Sequence, residues 1–428
     1  MRIEPAAAIA GHVAVPGDKS ISHRAVLLGL AGEGETRIGG FGRSADTEAT
    51  LSAARALGAT VYEHDDAVRI FGVGLRGFAQ PTGPVDCANA GTLMRLVPGL
   101  LAGQEGKTFE LTGDESLSRR PMERIAEPLR RMGARVDTAD GHAPLRIEGT
   151  ALAPTTYELP VARAQVKSAI LLAGLLADGG ETTVLEPIPT RDHTERMLEA
   201  AGARVRSRAK SVSVWPADGL RLGEVEVPGD VSSAAPLVLA ATLIAGSELT
   251  IHGVNLNPRR TGFLDVLQRM GARITVFNRR RIGGEPGGDL DVRPAKLVSA
   301  SIDAAEVPSL VDELPLFALA AAYARGDSVV RGAAELRQKE TDRIEAVVDG
   351  LRALGARIRA TEDGFIVKGD PARLRGGSLD TRGDHRIAML GAVAGLASRD
   401  GVEVGGAEAV AVSFPGFFDL LDSLRAPT

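Results

Sequence analysis

Apolar residues follow two alternating rhythms along this chain. Six stretches, Ser20–Ala31, Gly91–Ala102, Gln165–Ala177, Ser232–Ala245, Asp312–Ala324 and His385–Ala397, are apolar on nearly every face, which predicts helices buried on all sides. Other segments carry one apolar face at helical spacing. "HTERMLEAAGA" puts Met197, Leu198 and Ala201 on one side, and Asp192 with Glu195 has the spacing of a capping box. "RRPMERIAEPLRRMGA" aligns Met122, Ile125, Leu129 and Met132, with Pro121 where a first helical residue belongs. Each amphipathic segment but the last ends in Gly-Ala before a β-branched strand start, at Gly58, Gly133, Gly202, Gly271 and Gly355. A glycine there predicts a left-handed helix cap. Short strands such as "ETTVLEP" and "SELTIHG" follow the buried stretches, and "TVYEHDDAVRIFG" reads as a hairpin.

The repeating unit is therefore buried helix, strand, surface helix, strand pair. The Gly-Ala marks recur at spacings of 75, 69, 69 and 84 residues. A sixth copy ends in "FPGFFDLLDSL" without the mark. A repeat of this length builds either a solenoid or a few closed domains. The phrase Val-Pro-Gly-Asp occurs at 15–18 and again at 227–230, three periods apart. If each copy marks a crossover, the chain divides into a domain of residues 18–228 and a second of residues 1–17 with 229–428. At 428 residues the chain is also too long for one ordinary core.

Composition narrows the function. A net charge of −5 argues against a general nucleic-acid binder. One cysteine, Cys87, excludes an intrachain disulfide and any multi-cysteine metal site, and suits a reducing cytoplasm. The apolar stretches fall short of the roughly 20 residues that span a bilayer, and no signal peptide is expected.

The candidate chemistry lies where the buried helices begin: "DKSISHR", "NAGTLMR", "RAQVKS", "GDVSS", "SLVDE" and "GDHR". Helix N-termini attract anions. Asp230, Ser232 and Ser233 read as caps. Lys19, Arg24 and Arg386 oppose the helix dipole and so call for an anionic partner. Of Asp312 and Glu313, one should cap and the other could serve as a base in a partly desolvated cleft. The cluster "LRQKETDRIE", with Lys339, Glu340, Asp342 and Arg343, reads equally as a solvated cap or a site. Other signals fail. "GVGLRG" at 72–77 matches a dinucleotide fingerprint, but "FAQPTGP" cannot supply the helix that must follow. Cys87 reads as a buried small residue, and His12, His64, His142 and His252 have no motif around them. His23 and His385 sit among the cations.

Taken together, "PGDKSISHRA", "NAGTLMR", "AQVKSAILLAGLL", "DELP", "KETDRI" and "GDHRIAM" resemble the 5-enolpyruvylshikimate-3-phosphate synthases, in order and over essentially the whole chain. The resemblance implies an inside-out α/β fold of the enolpyruvyl transferases: two domains, each of three βαβαββ repeats, with the active site in the interdomain cleft. It implies transfer of the enolpyruvyl group of phosphoenolpyruvate to the 5-hydroxyl of shikimate 3-phosphate, by addition and elimination, with no metal and no cofactor. The partners implied are those two small molecules, with no nucleic acid and no membrane, for a cytoplasmic monomer. Carried over by residue, Lys19 contacts both substrates and takes part in proton transfer, Asp312 is the base near the 5-hydroxyl, Glu340 protonates the methylene, and His385 supports them. Ser20, Arg24, Arg163, Gln165, Arg191 and Lys339 bind shikimate 3-phosphate. Gly91, Arg120, Gln165, Arg343 and Arg386 bind phosphoenolpyruvate, in a corner structured by Asn89, Thr92 and Arg95.

Two positions depart from the family. Arg163 stands where a serine is usual, and either grips the phosphate with its fork or turns to solvent. Val412 stands where some members carry a lysine. Three rivals share part of the pattern. An enolpyruvyl transferase acting on UDP-N-acetylglucosamine would carry Lys-Asn at 19–20 and a cysteine in the loop that here reads "GDESLSRRPME". A non-catalytic anion-binding repeat protein would have no use for Asp312 and Glu340. An RNA-phosphate cyclase would need a nucleotidylated histidine that no motif supports.

Overall fold

The computed structural model describes residues 1–64, 67–372 and 374–426. The chain forms two compact units. Gly17–Val227 with Gly283–Glu285 makes the first, and Met1–Pro16, Pro228–Ile282 and the chain from Pro286 onward make the second.

In the first unit three four-stranded sheets repeat one plan. A short strand pairs in parallel with the strand after the buried helix, and that strand pairs antiparallel with the last strand of a hairpin. Strands 85–86, 108–112, 142–148 and 135–139 stand in that order, as do 156–158, 182–185, 211–214 and 205–208. In the remaining sheet the parallel strand comes from the far end of the unit, since Glu224–Glu226 pairs with Arg37–Gly39. The hairpin read at 60–71 has strands Thr60–His64 and Ala67–Phe71; Asp65 and Asp66 lie outside the described residues.

The second unit repeats the plan with its own exchange: Ala10–Ala14, at the start of the chain, pairs in parallel with Glu248–His252. Its last sheet has three strands, and Arg2–Ile3 takes the antiparallel place of the missing hairpin.

Six buried helices lie under these sheets: Lys19–Ala31, Gly91–Leu101, Ala164–Gly174, Val231–Leu243, Leu314–Ala322 and His385–Ala397. The third ends at Gly174, three residues before the apolar run does. Close packing needs small residues: a Cβ on Gly99 would lie 2.2 Å from the Ala169 carbonyl, so the second and third buried helices meet backbone to backbone. All five Gly-Ala glycines have positive φ, between 89° and 108°, as the left-handed cap requires.

Local readings fail where tertiary partners intervene. The helix after Pro121 begins only at Glu123. Asp192 makes no capping bond; it pairs with Arg196 at 3.0 Å, while Glu195 pairs with Lys167 at 2.6 Å. The glycine-rich stretch at 72–77 does not cradle phosphate: the N–H groups of Gly72, Val73 and Gly74 donate to the carbonyls of Gly34, Leu30 and Gly32.

Candidate functional site

In the first unit the candidate cations gather at three helix starts. Asp18 caps Lys19–Ala31 by accepting from the Ile21 N–H. Lys19, the first helical residue, pairs with Asp46 at 2.7 Å. The anion that its position demands is thus partly supplied from within, by a residue the sequence did not single out. Arg24 is buried and donates to three neutral oxygens: Thr194 Oγ1 at 2.7 Å, the Ser20 carbonyl at 2.8 Å and Ser168 Oγ at 3.0 Å. His23 lies behind them, fully buried, its Nδ1 2.6 Å from Thr50 Oγ1. Burial, then the charges of Lys19 and Arg24, holds its pKa well below 6.5, so it stays neutral.

Gly91 opens the next helix with two guanidinium groups against it. A Cβ there would lie 2.9 Å from Arg95 Nη1 and 3.0 Å from Arg120 Nη1. Arg95 donates to Gln165 Oε1, and Gln165 Nε2 donates to Thr92 Oγ1, both at 3.1 Å. Gln165 therefore reaches from the third helix to the second. Arg120 donates to Asn89 Oδ1 at 2.8 Å, and Asn89 is fixed by Asp114 at 2.7 Å. Arg163 precedes the third helix and is half-buried, as is Arg191. Cys87 is buried, and burial raises its thiol pKa far above the ordinary value, which removes it from nucleophilic chemistry.

The second unit gathers the acids around one buried guanidinium. Arg343 is 1% exposed. Its Nε donates to Asp384 Oδ2 at 2.7 Å and its Nη2 to Glu340 Oε2 at 2.5 Å, while Nη1 lies 3.5 Å from Asp312 Oδ1. Burial alone would lower its pKa; Asp384, Glu340 and Asp312 outweigh burial and raise it, so the charge is permanent. Lys339 stands 3.6 Å from Asp312 and 3.5 Å from Glu335. Asp342 caps the Arg343–Ala353 helix through Ile344 and Glu345, so the "KETDRI" cluster is a cap and a charge cluster at once.

Asp312 and Glu313 do not divide as expected. They form a short 3-10 turn before the helix, and Glu313 stands at its N-cap position without capping. Glu313 instead accepts a short hydrogen bond from Ser232 Oγ, which also accepts from Arg260 at 2.9 Å. Arg260 pairs with Asp230 at 2.8 Å, and Asp230 is the cap of Val231–Leu243. Ser232 thus belongs to a buried network rather than to a cap. Arg386 Nη1 donates to the Ser232 carbonyl at 3.1 Å. His385 is buried, its Nδ1 4.0 Å from Asp384. Val412 is half-buried in the 3-10 turn Ala407–Val412.

Asp46, Arg260 and Thr194 lie outside the clusters that sequence reasoning singled out, and Ser168 and Asp384 lie inside them without having been given a role. Each acts through a partner distant in the chain, and Asp46 and Thr194 sit inside unremarkable amphipathic helices. Among the described residues, Asp192, His193 and Glu285 bring potential metal ligands within 4.8 Å of one another. Arg196 pairs with both carboxylates of this group, 3.0 Å from Asp192 and 3.6 Å from Glu285. No described helix is long and apolar enough to cross a membrane.

Comparison with known proteins adds an independent line. The sequence model of the EPSP synthase (3-phosphoshikimate 1-carboxyvinyltransferase) family matches residues 3–421. The 3-phosphoshikimate 1-carboxyvinyltransferase of Roseiflexus castenholzii is 49% identical over 420 residues, covering 97% of each chain. That of Geobacter sulfurreducens is 48% identical over 422 residues, covering 98% of each. The solved structure of EPSP synthase from Acinetobacter baumannii superposes with a TM-score of 0.87 at 42% identity, covering 99% of this chain and 97% of that one. The enolpyruvyl transferase NikO from Streptomyces tendae shares the fold, with a TM-score of 0.79 at 20% identity, over 100% of this chain and 97% of its own.

Proposed function

The chain belongs to the EPSP synthase family, and from that premise we propose how its own residues perform the family's reaction. The activity is transfer of the enolpyruvyl group of phosphoenolpyruvate to the 5-hydroxyl of shikimate 3-phosphate, with release of phosphate, in aromatic amino acid biosynthesis. In the addition step a proton goes to the methylene carbon while the hydroxyl oxygen, losing its own proton, bonds to the neighbouring carbon. In the elimination step the carbon–oxygen bond to phosphate breaks and the methyl group gives up a proton.

One observation carries the assignment: Asp312 and Glu340 flank a single buried cation, Arg343, at 3.5 and 2.5 Å. Asp312, with Lys339 on its other side, is the base that takes the hydroxyl proton. Glu340 delivers the proton to carbon. This role requires the substrate's anion to take over Arg343, which here holds the Glu340 carboxyl at 2.5 Å. Arg343 and Arg386 bind phosphoenolpyruvate, as do Gly91 and Arg120. Ser20, Arg24, Arg163, Gln165, Arg191 and Lys339 bind shikimate 3-phosphate. Lys19 serves both substrates, and His385 supports the acids. Two phosphates and two carboxylates need this many cations even in a chain of net charge −5. The enzyme works in the cytoplasm, a reading supported by its one cysteine being buried and unpaired.

Phosphate release from phosphoenolpyruvate is measured with shikimate 3-phosphate and, separately, with UDP-N-acetylglucosamine. Release with the first alone is expected; none with the first overturns the reading. Glu340→Gln should lose most turnover, by about 100-fold or more, while still binding both substrates, and normal turnover removes Glu340 from its role. Arg163→Ser should raise the KM for shikimate 3-phosphate several-fold; an unchanged KM means Arg163 does not touch the phosphate.

A further inference from the structure

Among the described residues, four that carry a Cβ have positive φ: Ala88, Asp140, Asn278 and Arg382. Asp140 turns a hairpin, and Asn278 sits within the strand Arg273–Ile282. Ala88, at 47°, and Arg382, at 52°, instead stand just before buried helices, two residues past the strands Val85–Asp86 and Gly377–Asp380. Their turns match bond for bond. The Ala88 N–H donates to Asp86 Oδ1 at 2.8 Å, and the Arg382 N–H to Asp380 Oδ1 at 2.9 Å. The Cys87 N–H donates to the Thr112 carbonyl and the Ala90 N–H to the Cys87 carbonyl, both at 2.8 Å. Thr381 and Asp384 repeat these bonds to Gly405 and Thr381, at 3.0 and 2.9 Å. Of "DCANAG" and "DTRGDH", only the aspartate is common to both.

A left-handed backbone costs a residue with a Cβ and costs glycine little. Such residues persist only where their surroundings over-determine them, and they gather at functional sites. At Ala88 the determination is a closed ring. The Ala88 carbonyl accepts from the Asp114 N–H at 2.8 Å. One Asp114 oxygen accepts from Asn89 Nδ2 and the other from the Leu117 N–H, both at 2.7 Å. Leu117 lies in the helical turn that leads to Arg120, and Asn89 Oδ1 accepts from Arg120 Nη2 at 2.8 Å. The φ of Ala88 thus sets where Asn89 and Asp114 stand, and they set a buried guanidinium. In the second unit the matching turn delivers Asp384 to the buried Arg343.

We propose that Asp86 and Asp380 are positioning residues for phosphoenolpyruvate. Each exposed carboxylate holds a strained residue in the left-handed conformation, and that conformation aims a buried arginine, Arg120 through Asn89 and Arg343 through Asp384. This rests on the reading of Arg120 and Arg343 as phosphoenolpyruvate ligands. Neither aspartate supports the core, so its loss should misaim a cation without unfolding the unit. With glycine at position 88 the turn needs no holding, which separates this role from direct contact with substrate.

The test is steady-state kinetics and thermal melting on Asp86→Ala, Asp86→Asn, Ala88→Gly and the double variant Asp86→Ala with Ala88→Gly, beside the wild type. Asp86→Ala should raise the KM for phosphoenolpyruvate about fivefold, the effect of one hydrogen bond, while Tm, kcat and the KM for shikimate 3-phosphate hold. Asp86→Asn keeps the accepting oxygen and should restore the wild-type KM. Ala88→Gly should keep the KM, and in that background Asp86→Ala should cost less than about twofold. The proposal is overturned if the double variant loses as much as Asp86→Ala alone. It is also overturned if Asp86→Ala stays within about twofold of wild type, or if both substrates weaken alongside a lowered Tm. If Asp86→Ala does not fold, Asp380→Ala removes the matching bond and carries the test with the same expected split. A wild type that releases no phosphate rejects the assigned activity, and an active enzyme whose Arg120→Lys variant keeps its KM for phosphoenolpyruvate rejects Arg120 as ligand; each is distinct from failure of the positioning role.

Discussion

Removing Asp384 should nearly unfold the second unit, although no substrate need touch that residue. Asp384 is fully buried. It accepts from Arg343 at 2.7 and 3.2 Å and from Thr341 at 3.1 Å, and it caps the His385–Ala397 helix through the Arg386 N–H at 2.8 Å. Asp384→Ala strips the main partner from a guanidinium that is 1% exposed. Breaking a buried pair from one side costs about 3–5 kcal/mol, and a lost cap costs about 1 kcal/mol more. The total rivals the whole stability of a marginal domain, about 5 kcal/mol at the low end. Asp384→Asn keeps the cap oxygen but puts an amide N–H against Arg343 Nε, and should cost about 2–3 kcal/mol. The double variant Arg343→Met with Asp384→Ala removes both charges and should be at least about 2 kcal/mol more stable than the sum of the singles. Urea unfolding followed by far-UV circular dichroism at pH 7 reads the wild type, Asp384→Ala, Asp384→Asn, Arg343→Met and the double variant. A loss below about 1 kcal/mol for Asp384→Ala, or strict additivity in the double variant, would refute the reasoning.

Two further effects follow from the first unit. His23 is neutral when folded, with a pKa well below the ordinary 6.5, while the unfolded chain takes up a proton there as pH falls. The stabilisation is therefore complete above about pH 6.5 and is lost as pH drops toward the folded value, at up to about 1.4 kcal/mol per pH unit. His23→Asn should flatten that part of the stability curve measured by urea titration at several pH values, and an unchanged slope excludes His23 as its source. Gly91→Ala places a methyl 2.9 Å from Arg95 Nη1 and 3.0 Å from Arg120 Nη1. These are ends of flexible side chains, so folding should change by less than about 1 kcal/mol. Initial rates should show a several-fold higher KM for phosphoenolpyruvate, and an unaltered KM would mean the two guanidinium groups do not serve that substrate.

Much of the fold is legible because periodicity is a local property. A segment apolar on every side is buried wherever it is placed, and the glycine after each of the first five amphipathic helices adopts the positive φ that its local cap position calls for. The candidate site residues could be proposed for a similar reason: most stand at or near helix starts, and helix starts are marked by local chemistry. Pairing is not legible in this way. Asp192 and Glu195 have the spacing of a capping box, but Arg196 and the buried Lys167 compete for them and win. Asp312 and Glu313 are indistinguishable as a dipeptide; only packing sends one to Arg343 and the other to Ser232.

The doubled Val-Pro-Gly-Asp shows the boundary between the two kinds of information. Sequence alone determined that the phrase recurs three periods apart, that each copy precedes a buried helix, and that only the first keeps the cations Lys19 and Arg24. Tertiary structure decided what the copies do. The strand before each phrase pairs in one unit and the helix after it packs in the other, which is how Ala10–Ala14 comes to lie beside Glu248–His252 and Glu224–Glu226 beside Arg37–Gly39. It also decided the fate of the cation-free copy, where Asp230 and Ser232 join Arg260 and Glu313 in a buried network whose backbone holds Arg386. The physical reason is that hydrophobic period and turn chemistry act over a few residues, whereas a charge selects its partner by distance in space.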